Sequence, residues 1–120
     1  DYITINISSP NTEGLRDFHE QTKLNELLET IGKEKKILSS KIPIAVKISP
    51  DIDDQEINKV SEVLLNNNIE VIIVSNTSDS TRDSLGNILR HQKGGLSGKP
   101  IEEKSTNLKI SKQSRKFHFM

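Results

Sequence analysis

Residues 42–74, with the sequence IPIAVKISPDIDDQEINKVSEVLLNNNIEVIIV, decide the fold, because a helical pattern stands between two short apolar runs. The runs at 42–48 and 69–74 are nearly continuous and rich in β-branched residues, which is typical of strands buried on both faces of a parallel sheet. Between them, apolar residues recur at helical spacing from Ile57 to Leu65. The stretch therefore predicts a β-α-β unit.

The ends of the predicted helix carry their own signals. Asp53 or Asp54 can accept hydrogen bonds from the first free amides of the helix and so cap it. Residues 66–68 are three asparagines, which tolerate the left-handed conformation common at a helix C-terminus. We therefore expect the helix to lie between these two points.

The alternation of predicted strands and helices continues on both sides of this unit. Upstream, residues 2–8 predict a strand that ends before the Ser9-Pro10 pair, and residues 17–38 predict a helix. Downstream, the polar, glycine-bearing residues 79–98 predict a long functional loop, and residues 101–108 a further helix. The β-α-β-α-β order predicts an α/β fold of about three to four β/α units with parallel strands.

Length and composition limit the possible functions. The 120 residues are too few for a complete (β/α)8 barrel, which needs roughly 250. Because the chain begins with Asp1 and is only 32% hydrophobic, we expect a fragment whose neighbours cover its flanks. The 17 basic and 17 acidic residues balance, which argues against nucleic acid as a partner. The absence of cysteine excludes disulfides, thiolate nucleophiles and zinc–thiolate sites, and we expect no metal site. No apolar run approaches the ~20 residues that span a bilayer.

Residues 109–120, KISKQSRKFHFM, do not fit the pattern. An apolar strand is expected soon after the last helix, and this segment is basic with two late phenylalanines. We predict a divergent tail that is disordered or results from a premature end or a shifted reading frame. A nucleic-acid-binding tail is a remote alternative, because so short a cluster neutralises only a few phosphates.

Polar residues follow all three predicted strands. They lie at 6–12, 47–51 and 75–77, at the carboxyl edge of a parallel sheet, where ligands bind in α/β folds. Amides, hydroxyls and one lysine suit a planar ligand with carbonyl and imide edges. Lys47 ends an otherwise apolar strand, where an ammonium needs an anion or acceptor unless it reaches solvent. Turn-forming asparagines are the alternative explanation, and the glycine-rich residues 94–98 alone are a weak signal.

Four motifs together carry a family resemblance: NISSPNTEGLR at 6–16, VKISPD at 46–51, SNTS at 75–78 and GGLSGKP at 94–100. In this order they closely resemble the family 2, quinone-linked, membrane-associated dihydroorotate dehydrogenases, which are FMN-containing (β/α)8 barrels. The resemblance runs from Asp1 to about Leu108. It implies that residues 1–108 are a partial FMN-binding barrel, an incomplete TIM (β/α)8 barrel of about three to four units.

The resemblance also implies residue roles. Ser9 matches the serine that acts as general base, and Thr12 matches a threonine that assists proton transfer from it. Serine rather than cysteine at this place implies quinone as the electron acceptor. The positions that match substrate-binding residues are Asn6, Asn11, Asn76 and Thr77. The positions that match FMN-binding residues are Asn6, Lys47, Ser75 and Gly98, with Ser75 in place of the usual threonine.

The resemblance implies oxidation of (S)-dihydroorotate to orotate with FMN, electrons passing to quinone, in de novo pyrimidine biosynthesis. We expect the fragment alone to be inactive, because the segments that complete the flavin and quinone sites lie outside it. Membrane association would come from sequence not present here, and we favour the cytoplasmic side of a bacterial inner membrane over a mitochondrial one. Another FMN-barrel oxidoreductase and a non-catalytic α/β fragment are the alternatives.

Overall fold

The computed structural model describes residues 1–80, 82, 85–86, 88–108 and 117–120. Within them, four parallel strands form one sheet in chain order. The strands are β1 (Ile3–Asn6), β2 (Ile44–Lys47), β3 (Val71–Ile73) and β4 (His118–Phe119). The helices are α1 (Gln21–Ile37), α2 (Asp54–Asn66) and α3 (Lys99–Thr106), and two 3₁₀ helices span Leu15–His19 and Ile88–His91. The predicted alternation of parallel strands and helices is confirmed.

Helix α2 begins and ends where its sequence signals predict. The Asp53 carboxylate accepts hydrogen bonds from the backbone N–H groups of Gln55 and Glu56, both at 2.8 Å. In return, the Glu56 carboxylate accepts the Asp53 N–H at 3.3 Å, which completes a capping box. At the other end, Asn68 adopts a left-handed φ of 57°. Of the two candidate caps, Asp53 is therefore the N-cap, and Asp54 is the first residue of α2.

Helices α1 and α2 cover one face of the sheet. Side chains alternate along each strand, and the in-register partners Val46 and Ile72 therefore share this face. Both are almost fully buried against helical residues such as Leu24 and Leu64, which are 0% exposed. Removing these apolar surfaces from water supplies the main driving force for this layer.

The opposite face of the sheet carries the polar strand ends. Asn6 and Lys47 are register partners, so they project together from this second face. Asn6 is exposed and Lys47 is half-buried, in contrast to the fully buried Val46 between the strands and helices. An outer helical layer and a second sheet face without described helices are the arrangement of a segment of a (β/α)8 barrel.

The end of the chain corrects one sequence prediction. His118 and Phe119 form strand β4, in parallel register with Val71 and Ile72 of β3. The expectation that residues 109–120 contain no strand is therefore wrong at this point, and residues 109–116 lie outside the described residues. The pairing has a physical reason: Phe117 is only 6% exposed and joins the core, and the His118 N–H donates to the Glu70 carbonyl at 2.7 Å. The division of the chain at Leu108 stays a prediction.

Candidate functional site

The carboxyl ends of β1, β2 and β3 meet at one edge of the sheet, as the sequence predicts. The register places Asn6 beside Lys47, and Lys47 beside Ile73 of the next strand. The Asn76 N–H donates to the Ile48 carbonyl at 2.9 Å, which keeps the segment after β3 against the end of β2. Residues far apart in sequence are thus brought to one edge by parallel pairing alone.

Asn6, Ser8 and Asn76 form a closed hydrogen-bonded cluster at this edge. The Asn6 Oδ1 atom accepts the Ser8 hydroxyl at 3.0 Å and the Asn76 amide at 3.3 Å. The Asn76 Nδ2 also donates to the Ser8 Oγ at 3.0 Å, and Ser8 is 0% exposed. Because the Asn76 Oδ1 accepts the Thr77 N–H at 2.8 Å, the orientation of this amide group is fixed. A fixed pair of amides is suited to recognising a ligand with defined donors and acceptors.

Ser9 lies in the loop after β1, beside Thr12. The Thr12 hydroxyl donates to the Ser9 Oγ at 3.5 Å, and the backbone N–H of Asn11 donates to the same oxygen at 3.3 Å. Ser9 is half-buried, while Asn11 and Thr12 are exposed. The Asn11 side chain makes no hydrogen bond within the described part of the chain. The loop thus presents a serine oxygen with a neighbouring hydroxyl.

A cavity of about 540 Å³ opens next to the Asn76 cluster. Its walls include Lys47, Ser75, Thr77 and Gly98, which are predicted site residues. The Lys47 ammonium has neither an ion pair nor a hydrogen bond to any residue that the structure describes. Because a half-buried cation favours an anionic or electron-rich neighbour, this cavity suits a ligand that carries or gains negative charge.

The glycine-rich loop approaches this wall closely at one point. A Cβ atom added to Gly95 would lie well inside 3.0 Å of both Oγ1 and Cβ of Thr77. The neighbouring residues Ser78 and Leu96 exchange two backbone hydrogen bonds, at 2.9 and 2.6 Å, in an antiparallel bridge. Gly95 is therefore needed for close packing against Thr77, which explains part of the motif at 94–100.

Asp51, directly after β2, is the centre of an ionic network next to this loop. Its side chain is 11% exposed and pairs with Lys104 of α3 at 2.6 Å. Burial alone raises the pKa of the Asp51 carboxyl, but hydrogen bonds from Lys104, Ser78, Ser80 and the Asp79 N–H outweigh it. They hold the pKa of this group well below its usual range.

The structure brings together most of the predicted site residues. Asn6 and Asn76 are in contact, and Asn76 also lines the cavity that contains Lys47 and the other predicted flavin-side positions. The second group, Ser9, Asn11 and Thr12, is held in its own loop, and its members bond to one another. The roles assigned to all these residues stay predictions.

Three contributions were missed from the sequence. Ser8 lies at the end of a predicted strand, and no feature of the neighbouring sequence distinguishes it. Its hydrogen bond to Asn76 joins residues 68 positions apart. Asp51 was placed at a strand end without a role, and its partners are up to 53 positions away. Ser105 of α3 shares a hydrogen bond of 2.8 Å with the Ser75 hydroxyl, 30 positions apart. No local pattern reports such long-range pairs.

Comparisons with known proteins agree on one family. The family model described as dihydroorotate dehydrogenase matches residues 1–116, past the Leu108 limit to which the motifs carried the resemblance. A dihydroorotate dehydrogenase (quinone) from Teredinibacter turnerae is 43% identical over 112 residues, which cover 90% of this chain and 33% of the relative. The protein of the same name from Cellvibrio japonicus is 44% identical over 110 residues, with 88% and 32% covered.

Solved structures agree as well. The crystal structure of DHODH from Eimeria tenella in complex with ferulenol superimposes with a TM-score of 0.92 at 29% identity. The match covers 99% of this chain and 37% of that one, so the fold is a partial barrel of this type. The chain spans about a third of the length of the curated relatives that it matches. None of the described helices is long and apolar enough to cross a membrane. Because the family model matches residues 1–116 of the 120, the chain belongs to the dihydroorotate dehydrogenase family.

Proposed function

We propose that this chain supplies the central β/α units of an enzyme that oxidises (S)-dihydroorotate to orotate with FMN and passes the electrons to quinone. The observation that carries the proposal is the hydrogen-bonded pair of Asn6 and Asn76 beside the cavity that contains Lys47. Relatives named dihydroorotate dehydrogenase (quinone) support the same substrate and acceptor. The reaction is the oxidation step of de novo pyrimidine biosynthesis.

The lining of the cavity beside Asn76 supports the proposal of FMN as the cofactor. The Lys47 ammonium offers a positive charge, the Ser75 hydroxyl a polar edge and the backbone around Gly98 close backbone approach. FMN, when bound, supplies the hydride acceptor of the reaction. Lys47 stabilises negative charge in the cavity, and Asn6 contributes to holding both cofactor and substrate. The Ser75–Ser105 hydrogen bond keeps the Ser75 hydroxyl at the cavity wall.

The proton chemistry is assigned to Ser9 and Thr12. We infer that Ser9 Oγ removes a proton from the carbon next to the substrate carbonyl and that the Thr12 hydroxyl, 3.5 Å away, relays it. Serine is a weak base in water, so this role requires positioning and exclusion of solvent when substrate binds. Asn11, Asn76 and Thr77 orient the pyrimidine ring through their amide and hydroxyl groups.

Completion of the catalytic centre is assigned to segments outside this chain. The chain spans about a third of its relatives, and we propose that the remaining two thirds supply further FMN contacts and the quinone site. We also propose membrane association of the whole enzyme, on the cytoplasmic side of a bacterial inner membrane. The 120-residue chain alone is expected to be inactive.

A chimera tests the proposal. Residues 1–108 replace the matching third of the Cellvibrio japonicus relative, and reduction of bound FMN by dihydroorotate is followed by stopped-flow absorbance. We expect reduction in the chimera, and a loss of about 10²–10⁴-fold in Ser9→Ala with FMN still bound, which is the usual contribution of a general base. Ser40→Ala, whose hydroxyl lies in the turn before β2, is the matched control and should reduce at the parent rate.

Two results would contradict the proposal. An unchanged reduction rate in Ser9→Ala would remove its role as base, as would loss of FMN with unchanged chemistry per bound flavin. The inactivity of the isolated chain is tested separately by titration with FMN. Stoichiometric FMN binding followed by reduction with dihydroorotate would show that the chain works alone.

A further inference from the structure

Asp51 joins three separate segments through one carboxylate. It follows β2, and its partners belong to the 3₁₀ helix Leu15–His19 that continues the Ser9 loop, to the loop after β3 and to helix α3. The Oδ1 atom accepts from Lys104 Nζ at 2.6 Å, Ser78 Oγ at 2.6 Å and Ser80 Oγ at 2.7 Å, and Oδ2 accepts from the Asp79 N–H at 3.1 Å and Arg16 Nη2 at 3.4 Å. Because the Asp51 side chain is only 11% exposed, the hydrogen bonds from these partners take the place of most of those that it would make to water.

Arg16 connects this network to the loop that carries Ser9. Its guanidinium donates to Asp51 and, through Nη1, to the Asp79 carboxylate at 2.8 Å. Asp79 in turn has its N–H bonded to Asp51. The Asp51 carboxylate therefore acts on Arg16 in two ways, by a direct hydrogen bond and by holding the second acceptor in place.

The Asp51 network also contacts the loop after β3, which follows the proposed substrate-binding residues. Residues 78–80 come directly after Asn76 and Thr77, and both Ser78 and the Asp79 N–H are bonded to Asp51. The same carboxylate thus fixes the end of the Ser9 loop and the end of the Asn76–Thr77 segment. Asn76 also bonds directly to Ser8, at the start of the Ser9 loop, whereas the side-chain bonds of Ser9 and Thr12 stay within their own loop among the described residues.

We propose that Asp51 is a positioning residue, which sets the Ser9 loop at a fixed distance from Asn76 and Thr77. The catalytic part of this inference rests on the proposed function, because it assumes that Ser9 is the base and that Asn76 and Thr77 bind the substrate. The tether itself is a property of this chain and is measurable without substrate or cofactor.

Amide hydrogen exchange on the 120-residue chain tests the tether. The backbone N–H groups of Leu15 and Asp17 are bonded within the loop, to Thr12 and Gly14, and report its order. In Asp51→Asn we expect their exchange to rise about tenfold, because a charge-assisted network is lost, while the α2 amides stay unchanged. Asp51→Glu, which restores the charge, should recover part of the protection.

Lys23→Gln is the matched control. Lys23 pairs with Asp17 of the same segment at 3.1 Å, but both side chains are about half exposed, at 49% and 59%. An exposed pair contributes little, so exchange at Leu15 should change less than about twofold. Equal exchange in Asp51→Asn and the unsubstituted chain, or an equal rise in Lys23→Gln, would overturn the tether.

If Asp51→Asn prevents folding, Arg16→Gln tests the tether instead. It releases the loop from both Asp51 and Asp79 and leaves the Lys104–Asp51 pair intact, so exchange should rise at Leu15. No rise at Leu15 would refute the proposal. In the chimera, Asp51→Asn should lower kcat about tenfold with FMN content unchanged. If the chimera fails to oxidise dihydroorotate, the proposed function fails, and the exchange result still stands or falls separately.

Discussion

Replacement of Gly95 by alanine should open the contact between the glycine-rich loop and Thr77. The added Cβ would overlap both Oγ1 and Cβ of Thr77, so a side-chain rotation of Thr77 cannot relieve the overlap, and the backbones must separate. The bridge next to this contact has two hydrogen bonds between Ser78 and Leu96. At a net value of about 1 kcal/mol each, their loss amounts to about 2 kcal/mol of local stability.

The assay is amide exchange at Leu96, whose N–H donates to the Ser78 carbonyl. A local loss of about 2 kcal/mol corresponds to exchange that is about 30-fold faster, since each 1.4 kcal/mol is a factor of ten. Gly86→Ala is the control, because a Cβ at Gly86 meets no described atom within 4 Å and neither Gly86 nor Gly95 has a positive φ. Exchange at Leu96 within twofold of the parent in Gly95→Ala would refute the steric reasoning.

Two further predictions concern helix capping and pH. Asp53→Ala should lower the free energy of unfolding by about 1 kcal/mol in urea titrations followed by circular dichroism, because it removes the cap of α2, whereas Asp54→Ala should cost less than half as much. Equal losses in the two variants would contradict the assignment of Asp53 as the cap. The pKa of Asp51 is lowered in the folded chain, so its contribution to stability is fully present above the unfolded value of ~3.9 and is lost as pH falls toward the folded pKa. Asp51→Asn should therefore flatten the acid limb of stability below about pH 4, and an unchanged acid limb would exclude this linkage.

The secondary structure followed from local chemistry. The apolar run that becomes β2 lacks polar residues until Lys47, and α2 begins at its capping aspartate and ends in asparagines. The predicted boundaries were too wide, since the strand predicted over residues 69–74 is only Val71–Ile73 in the structure. The error at the chain end has a clear cause: a strand of two residues carries no periodic pattern, and β4 depends on pairing with β3.

The sequence by itself determined the α/β class, the edge of the sheet where polar residues gather and the family, because strand propensity, capping and motif order are all local or linear properties. Parallel pairing then makes the convergence of strand ends a necessary consequence. Only the tertiary structure decided which side chains touch. Ser8 contacts Asn76, Gly95 packs on Thr77, and Asp51 gathers partners from three segments. Such contacts depend on register and on the paths of loops between elements, and hydrogen bonds of about 3 Å are made or lost by shifts that no sequence pattern records.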